Sequence, residues 1–214
     1  MISHKYKFIY TKIGKAGSNS IQTAFLQCLR DGNYSHIGHH HLLDDISKKT
    51  KDYFKFSIVR NPWARCVSRY FYVQAKSGIR QINYKNSTFD EFIRSKAPPY
   101  NSDDERKFFL SSDWAKKSPN LVKLYDKKHP FENQLDWVSD FDGNLLVDFL
   151  GKLENLQEDI ITICNKIGIP PIKIPHRNKS QHGHYTEYYT EETSKIVAEK
   201  YAKDIEYFGY KFGE

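Results

Sequence analysis

Lys7-Phe8-Ile9-Tyr10-Thr11-Lys12-Ile13-Gly14-Lys15-Ala16-Gly17-Ser18-Asn19-Ser20 decides the fold class. Lys7 to Thr11 is a short β-branched and aromatic run, which predicts a strand. Gly14 to Ser20 is a turn carrying two glycines. From about Ser20 to Leu29 apolar residues recur at helical spacing, placing Ile21, Ala24, Phe25 and Cys28 on the buried face. Strand, glycine-bearing turn and helix together open an α/β domain with a parallel sheet. Such a turn aims several backbone N–H groups in one direction at the positive end of a helix dipole, and that geometry binds phosphate. Lys15 adds a mobile point charge, and Ser18 and Ser20 add hydroxyl donors. The ATP-binding pattern GxxxxGK[ST] does not fit: Ala16 follows Lys15, and Ile9 stands where the first glycine belongs. No acidic strand end stands out as a Mg²⁺ ligand either. Taken alone, the turn reads equally well as an ordinary strand-to-helix connection with solvated lysines.

A second strand is expected at Phe54–Val59, ended by Arg60-Asn61-Pro62. Pro62 suits the first turn of a helix, where its missing N–H costs nothing. That helix runs from about Trp63 to Lys76, burying Cys66, Val67, Tyr70 and Phe71. Arg60 therefore lies at the C-terminal edge of a strand, where open α/β sheets bind ligands. Ser68 follows about two helical turns later. An arginine fork and a serine hydroxyl can hold one phosphate through charge-assisted hydrogen bonds. Singly, each is also an ordinary surface-pair or helix residue.

Ile58-Val59-Arg60-Asn61-Pro62-Trp63-Ala64-Arg65-Cys66-Val67-Ser68-Arg69-Tyr70 resembles the 3′-phosphate-binding motif of sulfotransferases that use 3′-phosphoadenosine 5′-phosphosulfate (PAPS), in their carbohydrate (Golgi-type and bacterial) branch. Lys15-Ala16-Gly17-Ser18-Asn19-Ser20-Ile21 resembles the 5′-phosphosulfate loop of the same family, ahead of the second motif as the family has it. Lys12 aligns with the family lysine only by losing the Ser18–Ser20 match, so Lys15 takes that place. Gly14 stands where the family usually has proline, and Asn19 where it has threonine. Val147 to Leu156 and Asp204 to Tyr210 are similar to that branch more loosely.

The resemblance implies PAPS as co-substrate, adenosine 3′,5′-bisphosphate as product, and no metal. Lys15 would stabilise the bridging oxygen and the leaving phosphate. The loop Lys15, Ala16, Gly17, Ser18, Asn19 and Ser20 would bind the donor, its backbone amides from Gly17 to Ser20 holding the 5′-phosphate, and Arg60 and Ser68 would grip the 3′-phosphate. Arg177, in the loop His176-Arg177-Asn178-Lys179-Ser180, would fold over the nucleotide. The base that takes the acceptor proton falls among His36, His39, His40 and His41, with His41 first and His39 second. A metal site or a solvated loop are the rival readings of that histidine run. Glu154 reads as part of a helix-start cap.

The remaining sequence bounds these expectations. With 214 residues and 39% hydrophobic content, the chain is sized for one domain, 1–214, with a P-loop-like three-layer architecture. Helices are expected at Thr88–Arg94 (capping box Thr88…Glu91), at Asp104–Leu110, after the capping box Asn155…Glu158, and at Thr190–Phe208; a strand is expected at Leu145–Leu150. Cys28, Cys66 and Cys164 are too scattered for a disulfide framework and read as reduced core thiols, which suits a cytoplasmic protein. No apolar run approaches a membrane span, and the chain enters its first strand without a signal peptide. A net charge of +7 favours anionic partners. Two alternatives remain: a kinase with an atypical phosphate loop, read from the turn, and a basic glycan- or nucleic-acid-binding module, read from the charge. Nucleic acid is disfavoured because the charges form no continuous stripe and the aromatics follow core spacing.

Overall fold

The structure, a computed structural model, describes residues 1–29, 34–35, 50–75, 86–95, 133–140, 142–175 and 183–214. Its strands are β1 (Ile2–Ser3), β2 (Phe8–Thr11), β3 (Tyr34–Ser35), β4 (Phe54–Val59) and β5 (Phe149–Lys152). They form one sheet in the order β3-β1-β2-β4-β5. The three strands that carry the site, β2, β4 and β5, are parallel, with Tyr10 opposite Phe56 and Phe56 opposite Phe149. The expected parallel sheet is thus present at the centre, but the whole sheet is mixed: β1 pairs antiparallel with both β2 and β3. The cause is local. Only residues 4–7 join β1 to β2, far too few for a parallel crossover, and Lys7 turns the chain with a φ of 48°.

The described helices are α1 (Ser18–Leu29), α2 (Pro62–Ala75), α3 (Phe89–Arg94), α4 (Leu156–Ile167), α5 (Glu191–Lys200) and α6 (Ala202–Phe208). Strand alternation sorts them into two outer layers. Phe8, Tyr10, Phe56 and Ile58 face α1 and α4, where they bury Ile21, Ala24, Phe25, Ile160, Ile163 and Cys164. Tyr10 and Phe56 stack with ring centroids 5.1 Å apart. Val59 and Leu150 face the other layer, built from α2, α3 and α5 around Trp63, Val67, Phe92, Val197 and Tyr201. Phe56 is fully buried between strands and α1, so Phe56→Ala carries the usual core penalty of about 3–5 kcal/mol. The three-layer α/β expectation therefore holds.

Several local expectations hold and others shift. Thr88 and Glu91 form the expected capping box, and Gly168 ends α4 in the left-handed conformation at φ 71°. The expected Leu145–Leu150 strand begins later, because Asp148 fastens the start of β5 to Lys55 by two hydrogen bonds of 2.7 and 2.8 Å. Leu145 instead makes an isolated antiparallel bridge to Ser139. The Asn155…Glu158 capping box does not form; a 3₁₀ turn (Leu153–Asn155) leads into α4, and Asn155 makes no side-chain cap. The expected Thr190–Phe208 helix is two helices, broken at Tyr201, which is buried and has a non-helical φ/ψ of −111°/26°. Cys28 is exposed rather than in the core, while Cys66 and Cys164 are buried; all three are free thiols. The expected Asp104–Leu110 helix lies outside the described residues. Among the described residues, no helix is long and apolar enough to cross a membrane.

Candidate functional site

Because β2 and β4 are parallel neighbours, with Thr11 opposite Ser57, the segments that follow them emerge side by side. The segment after β2 is a tight turn. Lys15 and Gly17 both have left-handed backbones, at φ 69° and 71°, on either side of Ala16. For Gly17 the backbone is the requirement; a Cβ there would also lie 2.7 Å from Leu153 Cδ1, a side-chain end that could shift to admit it. Ser18, Asn19 and Ser20 open α1, whose first-turn N–H groups lack helical acceptors. Ala16 is buried in the apolar core and anchors the turn.

Two arginines hold the turn by its carbonyls. Arg65 Nε donates to Gly14 O at 3.1 Å, and Arg60 Nη1 donates to Lys15 O at 3.3 Å. In a trans peptide the N–H points opposite to the carbonyl, so the Lys15 N–H is turned away from the Arg65 guanidinium. The two predicted phosphate motifs, 45 residues apart in the chain, thus meet at a direct contact. Lys12 is the buried lysine of the turn: its Nζ donates to Gln22 Oε1 at 2.6 Å. Lys15 is the lysine left facing the arginines. Burial lowers its pKa from 10.5 to about 8, with Arg69 and then Arg60 adding like-charge repulsion.

Arg60 is fixed by its main chain. Its N–H donates to Gln134 Oε1 (2.9 Å) and its carbonyl accepts from Gln134 Nε2 (2.8 Å). Gln134 is held in turn by Asp204, which accepts from Gln134 N at 2.7 Å, from Gln134 Nε2 at 3.2 Å and from Leu135 N at 3.1 Å. Burial pushes the Asp204 carboxyl up, opposed by those donors and by Arg65. Burial likewise pulls Arg60 down, opposed by Glu154. Asn61 caps α2 by accepting from Trp63 N and Ala64 N at 3.0 and 3.2 Å. Glu154 Oε1 accepts from Asn61 N at 2.7 Å and its Oε2 from Tyr210 OH at 3.3 Å. The cap reading of Glu154 is thereby relocated: it fastens the start of α2, not α4.

Ser68 is buried in the second turn of α2, with 8% of its surface exposed. Ser18 and Ser20 are buried and Asn19 is exposed. His39, His41, their neighbours His36 and His40, and Arg177 lie outside the described residues. Among the described residues no three His, Cys, Asp or Glu side chains gather as a metal site. Sequence reasoning missed Gln134, Asp204 and the roles of Arg65 and Asn61. Asn61, directly before a proline that starts a helix, carried a readable cap signal. Gln134 and Asp204 carried none, because their role exists only once distant segments meet.

A left-handed turn carrying Lys15 and Gly17 at the start of α1, met by Arg60 from the end of the adjacent parallel strand, is an arrangement of an α/β protein that can receive an anion. The chain belongs to the sulfotransferase family, whose profile it matches over residues 1–211. It is also 32% identical, over 126 residues, to an uncharacterised protein of Archaeoglobus fulgidus, a match spanning 58% of this chain and 77% of that protein. No solved structure matches the chain.

Proposed function

We propose that the chain transfers a sulfuryl group from PAPS to a hydroxyl of a carbohydrate acceptor and releases adenosine 3′,5′-bisphosphate. The observation that supports this reading is the Arg60 Nη1 bond to the Lys15 carbonyl, which brings together the two segments that resemble the family's 5′-phosphosulfate and 3′-phosphate motifs. The acceptor oxygen attacks sulfur in line, the bond from sulfur to the bridging oxygen breaks, and the acceptor proton passes to a base. Negative charge builds on the leaving 5′-phosphate, where the Lys15 ammonium and the loop amides meet it. Arg60 and Ser68 bind the 3′-phosphate, and Arg177 closes over the nucleotide. His41, or His39, is the base. No metal enters this scheme, because fixed cations and amides supply the stabilisation. The carbohydrate acceptor rests on the branch of the family that the Arg60–Ser68 segment resembles. The free Cys66 and Cys164 thiols support a cytoplasmic setting.

Calorimetry tests the donor. Tight binding of adenosine 3′,5′-bisphosphate without metal, and weaker binding of ATP with Mg²⁺, is the expected result. The reverse preference would replace this reading with a kinase. Radiolabelled PAPS offered with glycan and small-alcohol acceptors then tests the acceptor class.

A further inference from the structure

Lys15 sits where its charge is opposed on several sides. Arg60 faces it from the end of β4, and Arg65 and Arg69 face the turn from α2. Glu154, after β5, faces Arg60. Among the described residues the Lys15 ammonium makes no ion pair or hydrogen bond. It contacts an aromatic face instead: Lys15 Nζ lies 4.4 Å from the ring centroid of Tyr72. The Arg69 guanidinium carbon lies 5.7 Å from the same centroid. Both distances fall within the roughly 6 Å reach of a cation–π contact. Arg69 and Tyr72 are three residues apart on α2, so they share a helix face, one residue beyond Ser68.

Resting on the sulfotransferase reading of the Lys15 turn, we propose that Tyr72 is a positioning residue, whose ring face holds the Lys15 ammonium and the Arg69 guanidinium together at the donor site. The choice of group follows from the chemistry. A carboxylate here would also hold Lys15, but it would compete with the donor phosphates for the same ammonium. An aromatic face attracts the cation through its quadrupole and leaves the full charge available to an incoming anion. The Lys15 backbone is itself set by the turn, at a φ of 69°, a region that residues with a Cβ seldom adopt. Tyr72, with 38% of its surface exposed, can be exchanged without opening the core.

The experiment titrates Lys15 in the ligand-free protein by NMR, with ¹³C-labelled lysine, and measures kcat and KM for PAPS across pH. Tyr72→Phe keeps the ring face, and both readouts should match the parent protein, whose Lys15 midpoint lies near pH 8. Tyr72→Leu removes the stabilisation of the ammonium, so the midpoint and the alkaline limb of kcat/KM should fall by about half a pH unit. Its kcat should drop on the order of tenfold with a smaller change in KM, as expected when a reacting group loses its direction. A Tyr72→Leu titration that coincides with the parent, or a Tyr72→Phe loss equal to that of Tyr72→Leu, would overturn the proposal. A shifted Lys15 midpoint in a protein that transfers no sulfuryl group would keep the ring's role and remove the sulfotransferase reading.

Discussion

Gln134→Leu isolates the clamp on Arg60. The wild-type amide is wholly buried and makes three side-chain hydrogen bonds, two to the Arg60 main chain and one to Asp204 Oδ2. Leucine fills similar space, so little cavity forms, but Arg60 N–H, Arg60 C=O and Asp204 each lose a partner. An unsatisfied buried group costs about 1–3 kcal/mol. Arg60 is partly exposed, so water replaces some of the loss, and Asp204 keeps two backbone donors. The expected destabilisation is about 2–4 kcal/mol, read from urea unfolding. The functional consequence should be selective. With its main chain released, Arg60 loses its aim at the 3′-phosphate, and affinity for adenosine 3′,5′-bisphosphate should fall roughly 10- to 100-fold, or about 1.4–2.8 kcal/mol. Adenosine 5′-phosphate has no 3′-phosphate and should bind almost as before. Gln134→Glu should be worse, since it sets an oxygen against the Arg60 carbonyl and the Asp204 carboxylate. Equal weakening of both nucleotides, or unchanged binding despite lost stability, would refute the assignment of Gln134 to the Arg60 clamp.

Lys15→Ala should cut sulfuryl transfer by orders of magnitude in a single-turnover assay while adenosine 3′,5′-bisphosphate affinity falls modestly; an unchanged rate would mean that the turn is not the donor site. Gly17→Ala should cost about 1–2 kcal/mol for the left-handed backbone alone, measured by unfolding. That cost should persist in a Leu153→Ala background, which relieves the 2.7 Å contact but not the φ of 71°. The Lys15 pKa also sets a pH dependence. Its folded value of about 8 lies below the ordinary 10.5, so the penalty on the ammonium is fully present below pH 8 and fades as pH rises from there to 10.5. Stability of the free protein therefore gains from this group across that window. Anion binding has the opposite sign, because it needs the ammonium. Affinity for adenosine 3′,5′-bisphosphate should fall above pH 8, approaching tenfold per unit, with proton uptake on binding. A flat calorimetric profile from pH 7 to 9 would remove Lys15 from the contact set.

What was legible in the sequence was legible because it is local. The turn from Gly14 to Ser20 announced itself by its glycines between a strand and a helix, and β4 with α2 by Pro62 and apolar spacing. Thr88 and Glu91 met as a capping box because they are three residues apart. Asn155 and Glu158 have the same spacing and did not, since Leu153–Asn155 is a 3₁₀ turn and Glu154 is drawn to Asn61, 93 residues away. The break at Tyr201 was invisible for a similar reason: helical periodicity continues through it, and its ring is buried in a core cluster drawn from distant segments. Gln134 and Asp204 sit 70 residues apart and act on a third segment, so no window of sequence contains their function.

The distribution of negative charge explains why these distant contacts belong to the site. Among the described residues neither Lys15 nor Arg60 is in an ion pair with a carboxylate. The nearby acids are engaged one step back, on main-chain N–H groups: Glu154 on Asn61, and Asp204 on Gln134 and Leu135. The arginines that grip the turn do so through the neutral carbonyls of Gly14 and Lys15. Carboxylates thus fix the geometry of the cations without occupying them. Burial first, and then the like charges of Arg69 and Arg60, hold the Lys15 ammonium at a cost that its depressed pKa records. A polyanionic nucleotide relieves it on binding, so the same arrangement that strains the free protein should make nucleotide affinity and ligand-induced stabilisation rise together. A site built for neutral ligands has no reason to keep its acids off its cations.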